Sequence, residues 1–175
     1  MSLGDWAPLT PDEMAAVLEA FDVPWWLAGG CPLDAFLGRQ TRDHADIDVS
    51  VLRRDQAAVR AHLAAWDLHV ADPPGTLRPW TSDVATAHDV WCRRTPGEPW
   101  AFQLMLEDSD GDDWVYRRDP RVRRPIASLG DRVLVPEVQL LYKSKDPRPK
   151  DLADRALVLP LLSETAREWL VASGG

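Results

Sequence analysis

The sequence predicts an α+β fold, with a mixed sheet and helices over residues 1–130 and a helical segment over residues 131–175. Two observations support this prediction. Strand-like and helix-like apolar patterns alternate irregularly through the first part of the chain, whereas only helical periodicity follows residue 131. With 175 residues, 45% of them hydrophobic, the chain can bury a core of its own.

The first elements are marked by clear start and stop signals. The segment 10–13 (TPDE) is a capping box with Pro in the first helical turn, so a helix begins there. The apolar run 25–28 (WWLA) predicts a buried strand that ends at the glycine pair 29–30. Residues 31–37 then predict a short helix, which Gly38 ends.

The middle of the chain continues with a polar loop over 39–45. Residues 46–51 (DIDVSV) alternate between polar and apolar, which is typical of a half-buried strand. A helix is predicted over 55–66 and a short strand over 68–70. The Pro-rich stretch 73–79 is predicted to be a loop.

Three further strands are predicted before the helical segment. Residues 90–93 and 101–106 flank the turn signal 95–98 (TPGE), and 114–117 follow an acidic, Gly-containing turn. Together they form a plausible antiparallel meander. The helices expected after residue 131 cover 137–145, 150–159 and 164–172.

Composition narrows the possible functions. The net charge of −8 and the pI of about 4.9 argue against broad nucleic-acid binding, although they allow a local basic patch. The segment 117–124 (RRDPRVRR) is such a cluster. It is either a solvated loop or a binding site for RNA or a phosphorylated acceptor. The two cysteines fit a reducing cytoplasm, and no apolar run predicts a membrane helix. We therefore expect a cytoplasmic protein without a membrane partner.

The chemistry is concentrated in Asp46 and Asp48. On a strand these two side chains point to the same face, roughly 7 Å apart. Two such carboxylates repel each other, and a divalent cation relieves that repulsion. Mg²⁺ accepts a few carboxylates together with phosphates and water. The backbone at Gly29 and Gly30 can approach a phosphate closely, so the combination indicates phosphoryl or nucleotidyl transfer.

The stretch 25–51 (WWLAGGCPLDAFLGRQTRDHADIDVSV) resembles the signature of the DNA polymerase beta-like nucleotidyltransferase superfamily. Within it, the aminoglycoside 2″-adenylyltransferase-like group is the most similar. A looser similarity covers 136–162 (PEVQLLYKSKDPRPKDLADRALVLPLL). The resemblance implies a nucleotidyltransferase-like core, Mg²⁺ as cofactor, and a nucleoside triphosphate, ATP above all, as substrate.

The resemblance also implies roles for individual residues. Asp46 and Asp48 would be catalytic metal ligands, while Asp151 and Asp154 would touch the acceptor or orient the lysines. A helix-capping role is the alternative for this second aspartate pair. The residues implied in nucleotide binding are Gly29, Gly30, Arg42, Lys143 and Lys150. Arg42 and its neighbour His44 could equally contact the acceptor or belong to an exposed loop.

One departure from the family pattern concerns the third carboxylate, which usually acts as a base from a later strand. The mid-strand position here is Gln103, and an amide cannot accept a proton at neutral pH. Glu107 shares its face and is the candidate base.

Two functions follow from this departure. The chain either transfers a nucleoside monophosphate to a hydroxyl of a small molecule (aminoglycoside-like) or of an RNA end, or is a non-catalytic relative that acts as a nucleotide-binding, regulatory or interaction module. The acidic surface favours a cationic acceptor, whereas the Arg cluster favours RNA.

Overall fold

The computed structural model describes residues 3–175, and in this range eight strands form one mixed sheet with six α-helices around it. The α+β class is confirmed. Residues 1 and 2, with which the predicted core begins, lie outside the described residues. Within 3–175, no helix has the length and apolar character required to cross a bilayer.

The elements follow one another in an irregular alternation. The strands are β1 Trp25–Ala28, β2 Asp48–Leu52, β3 Asp67–Ala71, β4 Leu77–Pro79, β5 Asp89–Arg93, β6 Phe102–Asp110, β7 Asp113–Val115 and β8 Arg123–Pro125. The helices are α1 Pro11–Val17, α2 Cys31–Leu37, α3 Gln56–His62, α4 Pro136–Lys143, α5 Pro149–Val158 and α6 Glu164–Ala172.

The sheet order is β1-β2-β6-β5-β3-β4, and β7 continues from the far end of β6 to β8. Of the strand pairs within residues 3–175, only β2 and β6 run parallel, and they pair Asp48 with Gln103 and Leu52 with Glu107. The predicted meander of β5, β6 and β7 is confirmed, since both of its pairings are antiparallel. The long strand β6 therefore connects the acidic end of β2 to the hairpin that carries the Arg cluster.

Alternating side chains on β2 and β6 separate the two faces of the sheet. Val49 and Leu104 belong to one buried cluster, which α1 and α3 cover with residues such as Met14. Leu52 belongs to a second cluster, built with β1, α2 and the three C-terminal helices. Because α4, α5 and α6 share this second core with β1 and α2, the ends of α4 and α5 are held beside β2, where they line a cleft.

Several boundaries differ from the expectations. Strand β2 begins at Asp48, so Asp46 lies in the preceding loop and not on the strand as predicted. The pairing of Gln103 N–H with the Ile47 carbonyl at 2.9 Å shows where β6 first contacts this segment. The helix predicted over 55–66 is shorter, running from Gln56 to His62 after a 3-10 turn.

Two strands, β4 and β8, form within segments predicted to be loops. Both are three residues long and contain Pro, which cannot donate to a ladder, so sequence signals for them are weak. The predicted bounds of β1, α2 and α6 are confirmed, as is the capping box of Thr10 and Glu13. The division of the chain at residue 130 stays a prediction.

Candidate active site

A polar cleft of about 280 Å³ lies between the sheet face of β2 and β6 and the ends of α4 and α5. It brings together residues that are more than 100 positions apart in the chain. Nine of the ten sequence-predicted site residues line it: Gly29, Gly30, Arg42, Asp46, Asp48, Glu107, Lys143, Lys150 and Asp151. The tenth, Asp154, lies behind this wall, where it binds Arg42.

Asp46, in the loop before β2, and Asp48, the first residue of β2, both face the cleft, and within residues 3–175 neither forms an ion pair or a side-chain hydrogen bond. Burial, followed by the negative charges of Asp46 and Asp89, raises the pKa of Asp48 to about 7. The charges of Lys143 and Lys150 act in the opposite direction but do not cancel this effect. The protein therefore keeps a half-buried carboxylate that lacks a neutralising partner.

This donor set fits Mg²⁺. Among residues 3–175, no three His, Cys, Asp or Glu side chains are grouped as a complete metal site. Mg²⁺ does not need such a group, because it retains water and takes substrate phosphates together with one or two carboxylates. Asp46 and Asp48 supply those two carboxylates, and the cation would relieve the repulsion that raises the pKa of Asp48.

Glycines are required after β1 because neighbouring side chains leave no room for a Cβ and because the backbone at the first of them is left-handed. Gly29 has a φ of +76°, and a Cβ there would collide with the carboxylate of Asp48. A Cβ on Gly30 would collide with His44 and approach Arg42. The N–H of Gly29 already donates to the Gln139 side chain at 2.8 Å. The pair thus lets β1 pass directly beside the carboxylates, and one of its two amides is held by α4.

Asp151 and Asp154 differ from the first aspartate pair in being fully neutralised. Lys143 Nζ contacts Asp151 at 2.7 Å and Asp154 at 3.0 Å. Burial alone would raise the pKa of Asp151, but hydrogen bonds from Arg148 and Lys143 together lower it well below its usual value. Burial would likewise raise the pKa of Asp154, but hydrogen bonds from Arg42 and Lys143 lower it. These carboxylates therefore hold the basic residues of the cleft wall in fixed positions.

His44 extends this network to α2. Arg42 Nη1 donates to His44 Nδ1 at 3.1 Å, so Nε2 carries the ring proton and donates to Asp34 at 2.5 Å. Asp34 also accepts from the Thr41 hydroxyl at 2.8 Å. The loop between α2 and Asp46 is consequently fixed at both ends, to α2 through Asp34 and to α5 through Arg42 and Asp154.

Glu107 is buried at the far end of the cleft and is saturated with donors. Its Oε1 accepts from the Ser50 hydroxyl at 2.9 Å, and its Oε2 accepts from Trp114 Nε1 at 2.9 Å and from the Tyr142 hydroxyl. Three of the roughly four acceptor positions of the carboxylate are therefore occupied. Its role as a base stays a prediction.

Asp89 is a third carboxylate that the sequence interpretation missed. It begins β5, directly opposite Met105, and therefore shares the sheet face of Gln103 and Asp48. Its charge raises the pKa of Asp48, and Gln103 Nε2 donates to its Oδ1 at 3.2 Å. The predicted strand began one residue later, at Val90. Extending the polar–apolar alternation back by one residue would have found it.

Comparisons with known proteins identify a family and a shared fold. A family model described as aminoglycoside-2″-adenylyltransferase matches residues 12–157. The solution structure of the antibiotic-resistance factor ANT(2″)-Ia is similar with a TM-score of 0.60 at 18% identity, over 93% of this chain and 87% of that chain. The crystal structure of ANT(2″)-Ia in complex with adenylyl-2″-tobramycin gives a TM-score of 0.51 at 17% identity, over 93% of each chain.

A third similar structure is the lincomycin-bound lincosamide antibiotic adenylyltransferase LnuA. Its TM-score is 0.56 at 17% identity, over 89% of this chain and 100% of that chain. At these identities the solved structures establish a shared fold. A search of curated protein sequences finds no significant match.

Proposed function

This chain belongs to the aminoglycoside-2″-adenylyltransferase family, and from that premise we propose that it transfers a nucleoside monophosphate to a hydroxyl of a small molecule. The donor is a nucleoside triphosphate, and ATP is the first candidate. The observation that carries this proposal is the pair Asp46 and Asp48. Both face a cleft rich in Lys and Arg, yet neither carboxylate has an ion-pair partner within residues 3–175. Stability alone does not explain such an arrangement, because burying an unpaired carboxylate is costly.

Asp46 and Asp48 are the residues that would hold Mg²⁺, which when bound supplies positive charge to the triphosphate and the leaving pyrophosphate. Lys143 and Lys150 line the same cleft as the two aspartates. Within residues 3–175 Lys150 has no carboxylate partner, so its ammonium is available to a phosphate. Gly30 and Arg42 border the same space and complete the proposed nucleotide site.

In the transfer itself, the acceptor oxygen forms a bond to the α-phosphorus while the bond to the bridging oxygen breaks and pyrophosphate leaves. The acceptor proton must pass to a base. Asp89 is better suited than Glu107, because three donors already occupy the carboxylate of Glu107. With Asp89 on the face of Asp48, the amide at Gln103 no longer favours a non-catalytic relative.

Asp151 and Asp154 were open to two roles, and their contacts favour orientation. Each carboxylate binds Lys143 and one arginine, so neither offers a free oxygen pair to an acceptor. For the acceptor, the tobramycin and lincomycin complexes of similar structures favour a small molecule over an RNA end.

The experiment is a transfer assay with ATP labelled in the α-phosphate, Mg²⁺ and a panel of hydroxyl compounds that includes tobramycin and lincomycin. We expect labelled product and pyrophosphate with at least one acceptor. Asp46→Asn should abolish both, whereas the neighbouring exposed Asp43→Asn should retain them. Product formation that survives Asp46→Asn would contradict the proposal.

A further inference from the structure

A second cleft, of about 530 Å³, opens beside the active-site cleft. Three basic residues, Arg117, Arg118 and Lys145, line both spaces. The second space, which we call the side cleft, is completed by residues that include Arg53, Thr86 and His88. The three shared residues therefore form a basic passage between the proposed reaction centre and the side cleft.

These three cations lack the partners that neutralise the other arginines of their cluster. Arg121 pairs with Asp119 at 2.8 Å, Arg123 with Asp110 at 2.7 Å, and Arg124 with Glu137 at 3.0 Å. Within residues 3–175, no carboxylate lies within ion-pair distance of Arg117, Arg118 or Lys145.

Arg117 and Arg118 are instead held by Tyr142 at the end of α4. The guanidinium of Arg117 lies 4.9 Å from the Tyr142 ring centre, and Arg118 Nη1 donates to the Tyr142 carbonyl at 2.7 Å. Their positive charges are therefore positioned but not neutralised.

The passage differs from the lysines of the proposed triphosphate site in the spaces that it borders. Lys143 and Lys150 line the main cleft and not the side cleft, whereas Arg117, Arg118 and Lys145 line both. The main cleft, at about 280 Å³, is at the lower limit of the ~300–1,000 Å³ typical of ligand pockets. The side cleft, which shares three lining residues with it, offers adjoining space for a second substrate.

The local charge of the passage favours an anionic group over an ammonium group at that position. Seven basic and five acidic side chains line the main cleft, in a protein whose net charge is −8. An acceptor with several ammonium groups would meet the unpaired cations of the passage. A phosphate would meet one lysine and two arginines, whose forked donors match its oxygens.

On the basis of the proposed transferase function, we infer that the acceptor is a small hydroxyl compound bearing a phosphate group. The phosphate binds Arg117, Arg118 and Lys145 at the mouth of the side cleft. The acceptor hydroxyl then reaches toward Asp46 and Asp48 in the main cleft.

The first test measures binding of inorganic phosphate to the full chain already saturated with Mg²⁺ and α,β-methylene-ATP, so that the nucleotide end is occupied. We expect phosphate to bind this complex, and Arg117→Ser to weaken that binding roughly tenfold, the loss of one charge-assisted contact. Lys145→Ser should have the same effect; its side chain is exposed, so the fold does not depend on it. Arg121→Ser, in the same cluster but outside both clefts, is the control and should bind phosphate normally.

Each failure in this experiment has a separate meaning. If α,β-methylene-ATP does not bind the unmodified protein, the proposed transferase function is overturned. If the nucleotide binds but phosphate does not, only the acceptor class is overturned. If Arg117→Ser and Lys145→Ser weaken the nucleotide instead of phosphate, these cations belong to the triphosphate site and the inference is wrong.

The second test compares turnover of glucose 1-phosphate and ribose 5-phosphate with turnover of glucose and ribose. We expect a preference of at least tenfold for one phosphorylated compound over its parent sugar, and loss of that preference in Lys145→Ser. Turnover of tobramycin above every phosphorylated compound would overturn the inference. Lys145-dependent labelling of an RNA end, without labelling of either sugar phosphate, would overturn the small-molecule assignment.

Discussion

Two aspartate pairs belong to one cleft and its wall, and their electrostatic environments are opposite. Asp151 and Asp154, on α5, are surrounded by Arg42, Lys143 and Arg148. Asp46 and Asp48, at the start of β2, have no such partners within the described residues 3–175. The pKa of Asp151 is lowered, while the pKa of Asp48 is raised to about 7.

The difference separates stability from function. A neutralised carboxylate favours the folded state, since its charge is better stabilised there than in the unfolded chain. A carboxylate with a raised pKa disfavours the folded state at neutral pH. Such a residue is typical of a functional site, where binding or catalysis requires it. The first pair positions the cleft wall, and the second is reserved for a cation that arrives with the nucleotide. Four measurements test this contrast.

The largest expected effect is on catalysis. Asp46→Asn and Asp48→Asn should each lower adenylyl transfer by about 10³-fold or more, because each removes charge from the proposed metal site. Neither variant should lower the melting temperature, since no ion pair is lost. A residual activity within tenfold of the unmodified protein would contradict the assignment, and Asp43→Asn serves as the matched control.

The second effect is on stability. Asp154→Asn should destabilise the fold by about 3 kcal/mol, because Arg42 would lose its one ion-pair partner among residues 3–175, while Lys143 would keep Asp151 alone. For a chain of this size, that corresponds to a decrease of roughly 6–12 °C in melting temperature. The exposed Glu168→Gln, on α6, should change melting by less than 1 °C. An Asp154→Asn decrease as small as that of the control would show that the second pair is not structural.

The third effect is ligand stabilisation. ATP with Mg²⁺, at ~100 times the dissociation constant, should stabilise the protein by roughly 2.7 kcal/mol. The shift should require Mg²⁺ and should disappear in Asp46→Asn, while the other nucleoside triphosphates report base preference in the same assay. A shift of equal size in EDTA would contradict the proposed role of the carboxylate pair.

The smallest effect concerns pH. In the folded protein, Asp48 retains its proton up to about pH 7, whereas the unfolded chain loses it near the ordinary value of 3.8. The folded state therefore binds more protons between these values, and stability falls as pH rises through them. In EDTA, Asp48→Asn should gain on the order of 2 kcal/mol relative to the unmodified protein between pH 4 and pH 8. A difference that stays constant across this range would exclude a raised pKa.

The sequence interpretation was most accurate where local chemistry is strong. Strand β1, its glycine pair and helix α2 are marked by an apolar run, by residues without a Cβ and by Pro and Gly boundaries. It was wrong about Asp46, which precedes β2, because the pairing with β6 begins only at Ile47. It missed Asp89 because the first residue of a strand carries little periodic signal.

The contrast between the aspartate pairs also needed the structure. Both Asp-x-Asp at 46–48 and Asp-x-x-Asp at 151–154 are acidic motifs, and sequence alone left a capping role open for the second. The structure confirms that role for Asp151, which accepts from the Arg148 N–H at the start of α5 at 3.1 Å. Lys143 and Arg42 neutralise the second pair from 8 and 112 positions away, respectively. Such partners depend on how α4 and the 39–45 loop pack against α5.

The sequence by itself determined the α+β class, the family and the glycine pair that precedes the acidic strand. These follow from local backbone preferences and from a motif contained within 27 residues. Only the tertiary structure decided which charges are neutralised, that Asp89 shares the face of Asp48, and that Arg117, Arg118 and Lys145 have no carboxylate partner within residues 3–175. Electrostatic interactions depend on distance and burial, and long-range packing sets both.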